Sequence, residues 1–232
     1  MCTGDVQATA SPSRTAALRN AGVPPALFVY NPAVTTIRSR GKLPHWEDNC
    51  AIYFVTFRLA DSLPQSILKR FEFERQDIVR TAKAAGRALT LIERQRLQTL
   101  FSEQIERNLD SGAGQCLFSN PAAADIVAET LCHFGGVRYR IYAWCVMPNH
   151  VHTLFRLLGD HVLDEVLHSW KSYSAKKVAA HFRRSGRIWQ REYYDHLIRS
   201  EKEFYRTIAY ILDNPKKARL QNWRWVGIGL DA

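Results

Sequence analysis

Residues 139–158 read YRIYAWCVMPNHVHTLFRLL, and this stretch decides the fold. It contains two runs rich in aromatic and aliphatic residues, 139–147 and 150–158, which are separated only by Pro148 and Asn149. Runs of this composition favour β-strands, and so short a connection predicts that the two strands pair as an antiparallel hairpin. The fold is therefore predicted to contain an antiparallel sheet.

The second strand of this hairpin begins with His150-Val151-His152. Side chains two residues apart in a strand point to the same face, so both imidazoles project together while Val151 faces the opposite layer. Two imidazoles on one face form half of a divalent-metal site, and the apolar flanks place them where polar groups need partners. Because eight histidines give roughly 0.3 such spacings by chance, the motif alone leaves open both a metal site and a coincidental pair.

The segments on either side of the hairpin alternate between strand-like and helix-like patterns. β-Branched and aromatic residues predict further strands over 51–58 and 189–198. A few strands interleaved with longer helices indicate an α+β fold, in which helices pack on a small antiparallel sheet. Apolar spacing and end signals predict the helices over 64–85, after Thr90, and over 121–134, 162–183 and 201–213, where Asn214-Pro215 stops the last one.

The first 40 residues differ from the rest of the chain. They mix Ala, Ser, Thr, Pro and Arg without a lasting period, which predicts a loosely ordered N-terminal extension. Residues 41–232 are then expected to form a single domain, because this length lies at the upper end of what one domain holds. No apolar run approaches the ~20 residues that span a bilayer. Without a secretory signal pattern, and with five scattered cysteines, the chain is predicted to be cytoplasmic.

The charge of the chain is strongly basic. A net charge of +10 arises from 32 Lys and Arg against 22 Asp and Glu. A basic protein of this size attracts polyanions, of which nucleic acid is the commonest. Charge alone does not separate a nucleic-acid-binding protein from one with a solvated surface rich in Lys.

The last predicted helix carries an aromatic residue that its hydrophobic pattern does not require. At ~100° per residue, Tyr210 falls on nearly the opposite side from the apolar stripe. Asn214 follows it by four residues and shares its face. A surface tyrosine and a functional tyrosine both remain possible from this pattern. Four residues at helical spacing make up the stripe: Phe204, Ile208, Ile211 and Leu212.

One family shares these features. The string AWCVMPNHVH, residues 143–152, resembles the HUH segment of the single-tyrosine transposases. Further blocks resemble one branch of that family, the REP-associated tyrosine transposases, where REP stands for repetitive extragenic palindrome. The resemblance covers about residues 40–220, and the first 40 residues match no family pattern. The further blocks are GKLPH at 41–45, FVTFRLADSLP at 54–64, LHSWKSY at 167–173, WQREYYD at 189–195 and YILDNP at 210–215.

The resemblance implies a ferredoxin-like antiparallel sheet with the histidine pair on a central strand. It implies that Tyr210, the first residue of a Tyr-Ile-x-x-Asn-Pro block, is the nucleophile. His150, His152 and Asn214 would then hold Mg²⁺ or Mn²⁺. Tyr173 is the competing nucleophile, because it also lies in a predicted helix near basic residues, but Lys177 rather than a metal-ligand type follows it by four residues.

The implied activity is metal-dependent cleavage and strand transfer of single-stranded DNA at REP-type hairpins, through a 5′-phosphotyrosine intermediate. Arg191, Lys216 and Lys217 are candidates for phosphate contacts, and Trp189 and Tyr193 for stacking on unpaired bases. The protein would act as a monomer or a homodimer. Two alternatives stay open: a domesticated protein that binds DNA hairpins without cutting them, and a metal-dependent hydrolase that forms no covalent intermediate.

Overall fold

The computed structural model describes residues 36–40, 43–47, 51–63, 65–90, 92–93, 96, 112 and 114–229. Its strands are β1 (Thr36–Arg40), β2 (Leu43–Glu47), β3 (Ile52–Arg58), β4 (Tyr139–Val146), β5 (His150–Leu157), β6 (Tyr194–Leu197) and β7 (Val226–Ile228). Its helices are α1 (Gln65–Ala84), α2 (Pro121–Cys132), α3 (Leu163–His181) and α4 (Glu201–Lys217), with a 3-10 turn at Leu117–Ser119. Among the described residues, no helix is both long and apolar enough to cross a bilayer.

The main sheet has five strands in the order β6-β3-β5-β4-β7, and each neighbouring pair is antiparallel. Four of these strands, β3 to β6, are separated by helices: α1 and α2 lie between β3 and β4, and α3 lies between β5 and β6. They stand in the sheet in the order fourth, first, third, second, which is the ferredoxin-like arrangement. The predicted α+β class and the predicted sheet are confirmed. A separate two-stranded sheet pairs β1 with β2.

The sheet is covered on both faces. Alternate β3 residues Tyr53, Val55 and Phe57 pack in a cluster with α2 and α3, whereas Phe54 packs in a second cluster with α4. Trp170 fixes α3 on its face, because its indole donates a 2.7 Å hydrogen bond to the hydroxyl of the buried Tyr139. Burial of a large apolar side chain of this kind contributes roughly 1.5–3 kcal/mol. Among the described residues, α2 and α3 therefore pack on one face of the sheet and α4 on the other.

The β4–β5 hairpin is held at its turn by neighbouring segments. The Met147 N–H donates to the His150 carbonyl at 2.8 Å, which closes the turn. The carbonyl of Asn149 accepts from the Leu59 N–H at 2.9 Å, and that of Pro148 from Phe118 at 3.0 Å. Because β5 lies between β3 and β4, the histidines at its start are on a central strand, as expected.

The strand predicted over 189–198 is shorter in the structure. Only Tyr194–Leu197 pair with β3, and Trp189 forms an isolated bridge with Leu59. Tyr194 pairs with Thr56, so an unbroken ladder would put residue 191 opposite Leu59, and the observed bridge is two residues out of that register. Residues 190–193 therefore bulge out of the sheet, which a period-two sequence pattern does not reveal.

The last helix extends further than predicted. Helix α4 begins after Ser200, whose hydroxyl accepts a 3.2 Å hydrogen bond from the Glu203 N–H, and it continues through Pro215 to Lys217. Proline removes one N–H from the helical ladder, but it does not end the helix here. The Ala218 N–H bonds the Asn214 carbonyl at 3.0 Å, and a left-handed residue, Arg219, follows. Asn214 is consequently helical.

Two predictions fall mainly outside the described residues. Most of the N-terminal extension is not described, but residues 36–40, its last five, form β1. These five residues therefore form a strand, where the sequence predicted a loosely ordered segment. The helical stretch after Thr90 is described only at residues 92–93 and 96, which are helical.

Candidate active site

The two histidines of β5 form a close pair under helix α4. Their Nε2 atoms lie 2.9 Å apart, and the side chains of His150 and His152 are 1% and 0% exposed. Two metal–donor bonds of roughly 2.1 Å at the right angle of an octahedron would hold their donor atoms roughly 3.0 Å apart. The observed separation is therefore compatible with a shared ion as well as with a direct hydrogen bond.

The outer nitrogens of the pair limit which atoms carry protons. His150 Nδ1 lies 2.7 Å from the Asn149 side-chain oxygen, which can only accept, so this Nδ1 donates and His150 Nε2 has a lone pair. His152 Nδ1 lies 2.8 Å from the Thr56 hydroxyl, which can donate or accept. When Thr56 donates, His152 Nε2–H bonds His150. When Thr56 accepts, two lone pairs face each other, and only a cation between them makes that state favourable.

Both imidazoles are held neutral. Burial, the neighbouring His152 and the charge of Arg58 keep the pKa of His150 well below its usual range. Burial and the ammonium of Lys217 lower the pKa of His152 to about 3. Neutral imidazole is the form that coordinates a metal, so neither side chain has to lose a proton to do so at neutral pH.

The ring of Tyr210 contacts His152 of this pair. Its ring centroid is 5.4 Å from that of His152 and 5.9 Å from that of Phe54, both in edge-on geometry. The Lys217 ammonium lies 4.7 Å from the centre of the same ring. The helical wheel predicted Tyr210 opposite the apolar stripe, whereas the structure has it partly buried at the rim of the packed face. Tyr210 is thus brought to the histidine face.

Asn214 lies one turn further along α4. Its side chain is 1% exposed, and its Nδ2 donates to the Tyr210 carbonyl at 3.1 Å. The side-chain oxygen is buried and has no hydrogen-bond partner among the described residues. Leaving such an acceptor unpaired costs about 1–3 kcal/mol, which a cation at this oxygen would offset. Asn214 therefore suits the ligand role that the resemblance implies.

The residues present fit Mg²⁺ or Mn²⁺ with water completing the coordination. No group of three or more His, Cys, Asp or Glu side chains with metal-binding geometry occurs in the part of the chain that is described. A metal at His150 and His152 would thus take its third protein ligand from a neutral group such as Asn214. A mixed set of imidazole and amide oxygen suits Mn²⁺, and also Mg²⁺ that keeps several waters.

The competing tyrosine lies elsewhere. Tyr173 belongs to α3, which packs on the opposite face of the sheet from α4. Its side chain is 51% exposed, stacks on His133 at 6.5 Å and lies 5.6 Å from the Lys177 ammonium. The sheet separates it from His150 and His152, so this position favours Tyr210 as the nucleophile.

The candidate phosphate contacts are on the surface. Arg191, Lys216 and Lys217 are exposed. Lys217 is the one that approaches the histidine pair, since its charge acts on His152 and its ammonium lies against Tyr210. Lys216 and Lys217 occupy the last turn of α4, where cations also offset the helix dipole.

The candidate stacking residues are in the core. Trp189 is 4% exposed, its ring lies 4.8 Å from Phe57 and 5.0 Å from Phe118, and its indole N–H bonds Ser174 at 3.0 Å. Tyr193 is 7% exposed and donates its hydroxyl hydrogen bond to Asp164. Neither ring has a free face for a base, so this arrangement does not support base stacking by Trp189 or Tyr193.

Three site residues were missed from the sequence. Thr56 and Arg58 pair directly with His152 and His150 across β3 and β5, and Asn149 is the turn residue that bonds His150. The signal that could have found the first two is the period of two along β3, which puts them on one face. Their strand partner was not specified by the pattern.

The known proteins that resemble this chain include transposases. Residues 123–214 match the model of a family described as IS200-like transposases. A REP-associated tyrosine transposase of Escherichia coli (strain K12) is 34% identical over 80 residues, which are 34% of this chain and 46% of that protein. This chain spans about half the length of the curated relatives it matches. A solved structure of a REP-associated tyrosine transposase bound to a REP hairpin aligns over 81% of this chain and 82% of the other, at 18% identity and a TM-score of 0.43.

The family match covers the part of the chain that carries the site. Residues 123–214 include the β4–β5 hairpin with both histidines, and they extend along α4 through Tyr210 to Asn214. The resemblance predicted from the sequence is confirmed, since residues 123–214 match the IS200-like transposase family and the curated relatives are REP-associated tyrosine transposases.

Proposed function

We propose that this protein is a metal-dependent endonuclease and strand transferase that cuts single-stranded DNA through Tyr210 and acts on REP-type hairpins. The observation that carries the proposal is the contact of the Tyr210 ring with His152, at 5.4 Å between centroids. This contact brings the phenol ring to two neutral imidazoles, and neutral imidazole is the form that can hold a metal ion. The family of residues 123–214 supports the DNA-processing class.

The residues of this chain divide the chemistry among them. A tyrosine hydroxyl ionises only near pH 10, so it needs help to attack at neutral pH. A Mg²⁺ or Mn²⁺ ion on His150, His152 and Asn214 would polarise the scissile phosphate. The Lys217 ammonium, 4.7 Å from the centre of the Tyr210 ring, would favour negative charge on this phenol.

The covalent step conserves the phosphodiester. The Tyr210 oxygen bonds to phosphorus, the bond from phosphorus to the 3′ oxygen breaks, and the phenolic proton is released while the 3′ oxygen gains one. The product is a 5′-phosphotyrosine and a free 3′-hydroxyl. Because the new ester has energy similar to the old one, a 3′-hydroxyl can later displace Tyr210 and join two strands.

The hairpin substrate is inferred from relatives. The E. coli relative is named for its association with REP elements, and a solved relative is described as bound to a REP hairpin. The net charge of +10 suits such a polyanion. Since the chain covers only about half of its curated relatives, the hairpin target stands as part of the proposal.

The test is a covalent adduct on a denaturing gel. The protein is incubated with Mn²⁺ and a single-stranded hairpin oligonucleotide that is labelled at its 3′ end, so that the 5′-phosphotyrosine fragment retains the label. Wild type and Tyr173→Phe are expected to give the adduct, and Tyr210→Phe is not. Each variant loses one hydroxyl, so the two changes are matched.

The same gel separates the alternatives. Binding without cleavage by the wild type would indicate a hairpin-binding protein. Cleavage that leaves no adduct would indicate a hydrolase that acts without a covalent step. An adduct that persists in Tyr210→Phe and disappears in Tyr173→Phe would overturn the assignment of the nucleophile.

A further inference from the structure

A cluster of charged side chains lies at the end of β3 next to the histidine pair. It comprises Arg58, the last residue of β3, Lys171 of α3, and Arg187 and Glu192, which precede β6. The charges of the other three groups act on Lys171, that of Glu192 acts on Arg58, and that of Arg58 acts on His150. We call these four residues the cationic corner.

The backbone brings these distant segments together. The Gln190 N–H donates to the Arg58 carbonyl at 2.9 Å, which ties the bulge at residues 190–193 to the end of β3. The Lys171 ammonium donates to the Arg191 carbonyl at 2.7 Å, which ties α3 to the same bulge. Lys171 and the end of β3 are therefore both hydrogen-bonded to the same bulge.

Arg58 is buried without full pairing. Its side chain is 6% exposed, and its Nε has no hydrogen-bond partner within the described ranges. Burial lowers its pKa to about 10, with the carboxylate of Glu192 acting in the opposite direction, so it stays charged at neutral pH. Buried cations are normally paired, and an unpaired N–H on one indicates a partner that binds from outside.

The charges of the corner do not balance. Burial lowers the pKa of Lys171 to about 8; Glu192 opposes this shift, and Arg58 and Arg187 add to it. Three cations thus act here against one carboxylate in the described part of the chain. An excess of positive charge in a partly desolvated place destabilises the free protein and attracts an anion.

The corner adjoins the proposed reaction centre. Arg58 is paired with His150 in the register of β3 and β5, and both side chains lie on the face that α4 covers. A DNA strand whose scissile phosphate lies at His150 and His152 has its next phosphate within reach of this end of β3. Arginine suits such a contact because its planar fork can bond two phosphate oxygens.

We propose that the cationic corner binds a backbone phosphate next to the scissile phosphate of the DNA, with Arg58 and Lys171 as the contacting cations. This proposal rests on the proposed function, whose substrate is DNA. It adds a binding site that the histidines, Tyr210 and Asn214 do not form. Its role is to fix the strand in line with the nucleophile.

The test measures binding without turnover. Tyr210→Phe serves as the parent protein, and single-stranded hairpin oligonucleotides each carry one neutral methylphosphonate in place of a phosphate. Affinities are measured by fluorescence anisotropy for the parent, for the parent with Lys171→Gln and for the parent with Lys176→Gln. Lys176 is the matched control, because it lies on α3 and is exposed.

One phosphate position is expected to stand out. Neutralising it should weaken binding to the parent on the order of tenfold, as for loss of a charged hydrogen bond. The same methylphosphonate should have little further effect in Lys171→Gln, because the substitution and the modified phosphate remove the same interaction. It should keep its full effect in Lys176→Gln. Arg58→Lys keeps the charge but loses the planar fork. It should therefore bind the unmodified DNA more weakly and respond less to the methylphosphonate at that position.

Each other outcome overturns the proposal in a distinguishable way. If Lys171→Gln and Arg58→Lys both respond to every methylphosphonate as the parent does, the corner binds no phosphate, while adduct formation by the wild type leaves the proposed function intact. If no protein binds the DNA, both proposals fall. Thermal unfolding checks that Lys171→Gln is folded. If Lys171→Gln unfolds at a lower temperature than the parent, the result for Arg58→Lys decides the test.

Discussion

Thr56 and His152 face each other across β3 and β5, and the Thr56 hydroxyl oxygen lies 2.8 Å from His152 Nδ1. The direction of this hydrogen bond determines which imidazole nitrogen carries the proton, and so whether His152 Nε2 offers a lone pair to a cation. Partners of this kind orient metal-binding histidines and raise their basicity. The relationship makes Thr56 the most informative position for testing the metal site.

Thr56→Val is expected to weaken metal binding with little change of shape. Valine replaces the hydroxyl with a methyl group and leaves His152 Nδ1 without its partner, so affinity for Mn²⁺ should fall about 10- to 100-fold. The unfolding free energy should fall by about 1–3 kcal/mol, because a buried polar atom is left unsatisfied. Calorimetric titration with Mn²⁺ and urea unfolding measure the two effects.

Thr153→Val is the matched control. Like Thr56, Thr153 is a buried threonine of the sheet, and it lies in β5. Its hydroxyl has no hydrogen-bond partner in the described structure, and its side chain is on the opposite face of the sheet from His152. Its replacement should leave Mn²⁺ affinity unchanged and should leave stability equal or higher. Equal losses of affinity in the two variants would mean that Thr56 acts through packing and not through His152.

Asn214→Ala is expected to separate stability from metal binding. The change removes a buried oxygen that lacks a partner and introduces the best helix former, so the metal-free protein should be as stable or up to about 1 kcal/mol more stable. The rise of Tm that excess Mn²⁺ produces in the wild type should shrink, because binding stabilises by mass action. His150→Ala should abolish that rise and DNA cleavage together.

The outcomes for Asn214 discriminate clearly. A Tm response to Mn²⁺ that is equal in wild type and Asn214→Ala would remove Asn214 from the proposed ligands. Full cleavage by the wild type in excess chelator would remove the metal from the proposed mechanism. Activity in Asn214→Ala should be reduced less than in His150→Ala, since water can fill one neutral ligand position.

Stability should depend on pH through Lys171. Its folded-state pKa is about 8 against an ordinary 10.5, so below pH 8 both states are charged and the folded state bears the cost of burial. Between pH 8 and 10.5 the folded state loses the proton first, and stability rises with pH wherever the unfolded state binds more protons. The unfolding free energy of wild type minus that of Lys171→Gln should therefore increase across this window.

Urea unfolding of both proteins at about pH 7 and about pH 10 measures this difference. Subtraction removes the contributions of the other titrating groups, which the two proteins share. A difference that stays constant, or that decreases as the pH rises, would show that the Lys171 ammonium is not destabilised in the folded protein.

The sequence predicted those parts of the site that depend on local periodicity. Alternation along β5 put His150 and His152 on one face, and the helical repeat put Asn214 on the face of Tyr210. Both relationships hold in the structure. They could be predicted because each depends on residues at most four positions apart.

The parts that depend on register could not be predicted. Thr56 and Arg58 meet the histidines only because β3 lies beside β5, and strand order is decided by packing across the whole sheet. The bulge at 190–193 arises from a two-residue offset that no alternation shows. Trp189 and Tyr193, candidates for base stacking or core packing from the sequence, are both buried in the structure.

The final prediction concerns the strandedness of the substrate. Both histidines are buried, and the Tyr210 ring, which is partly buried where α4 meets the sheet, contacts His152. A scissile phosphate therefore has to come close to the protein surface, with its flanking bases turned away. A complementary strand holds those bases in a stack and opposes that rotation. We expect cleavage of a single strand that carries a short palindrome, and none of the same sequence annealed to its full complement.

The measurement compares three DNAs of one sequence at equal concentration with Mn²⁺. They are the single strand, the full duplex, and a duplex whose complement is mismatched only around the cleavage position. The mismatched duplex keeps the phosphate charge of the full duplex but unpairs the bases at the site, so cutting should return there. Because salt-dependent phosphate attraction is similar for both duplexes, a difference between them isolates base pairing from affinity. Equal cutting of the full duplex would rule out the single-strand mechanism, and with it the proposed approach of the phosphate to Tyr210.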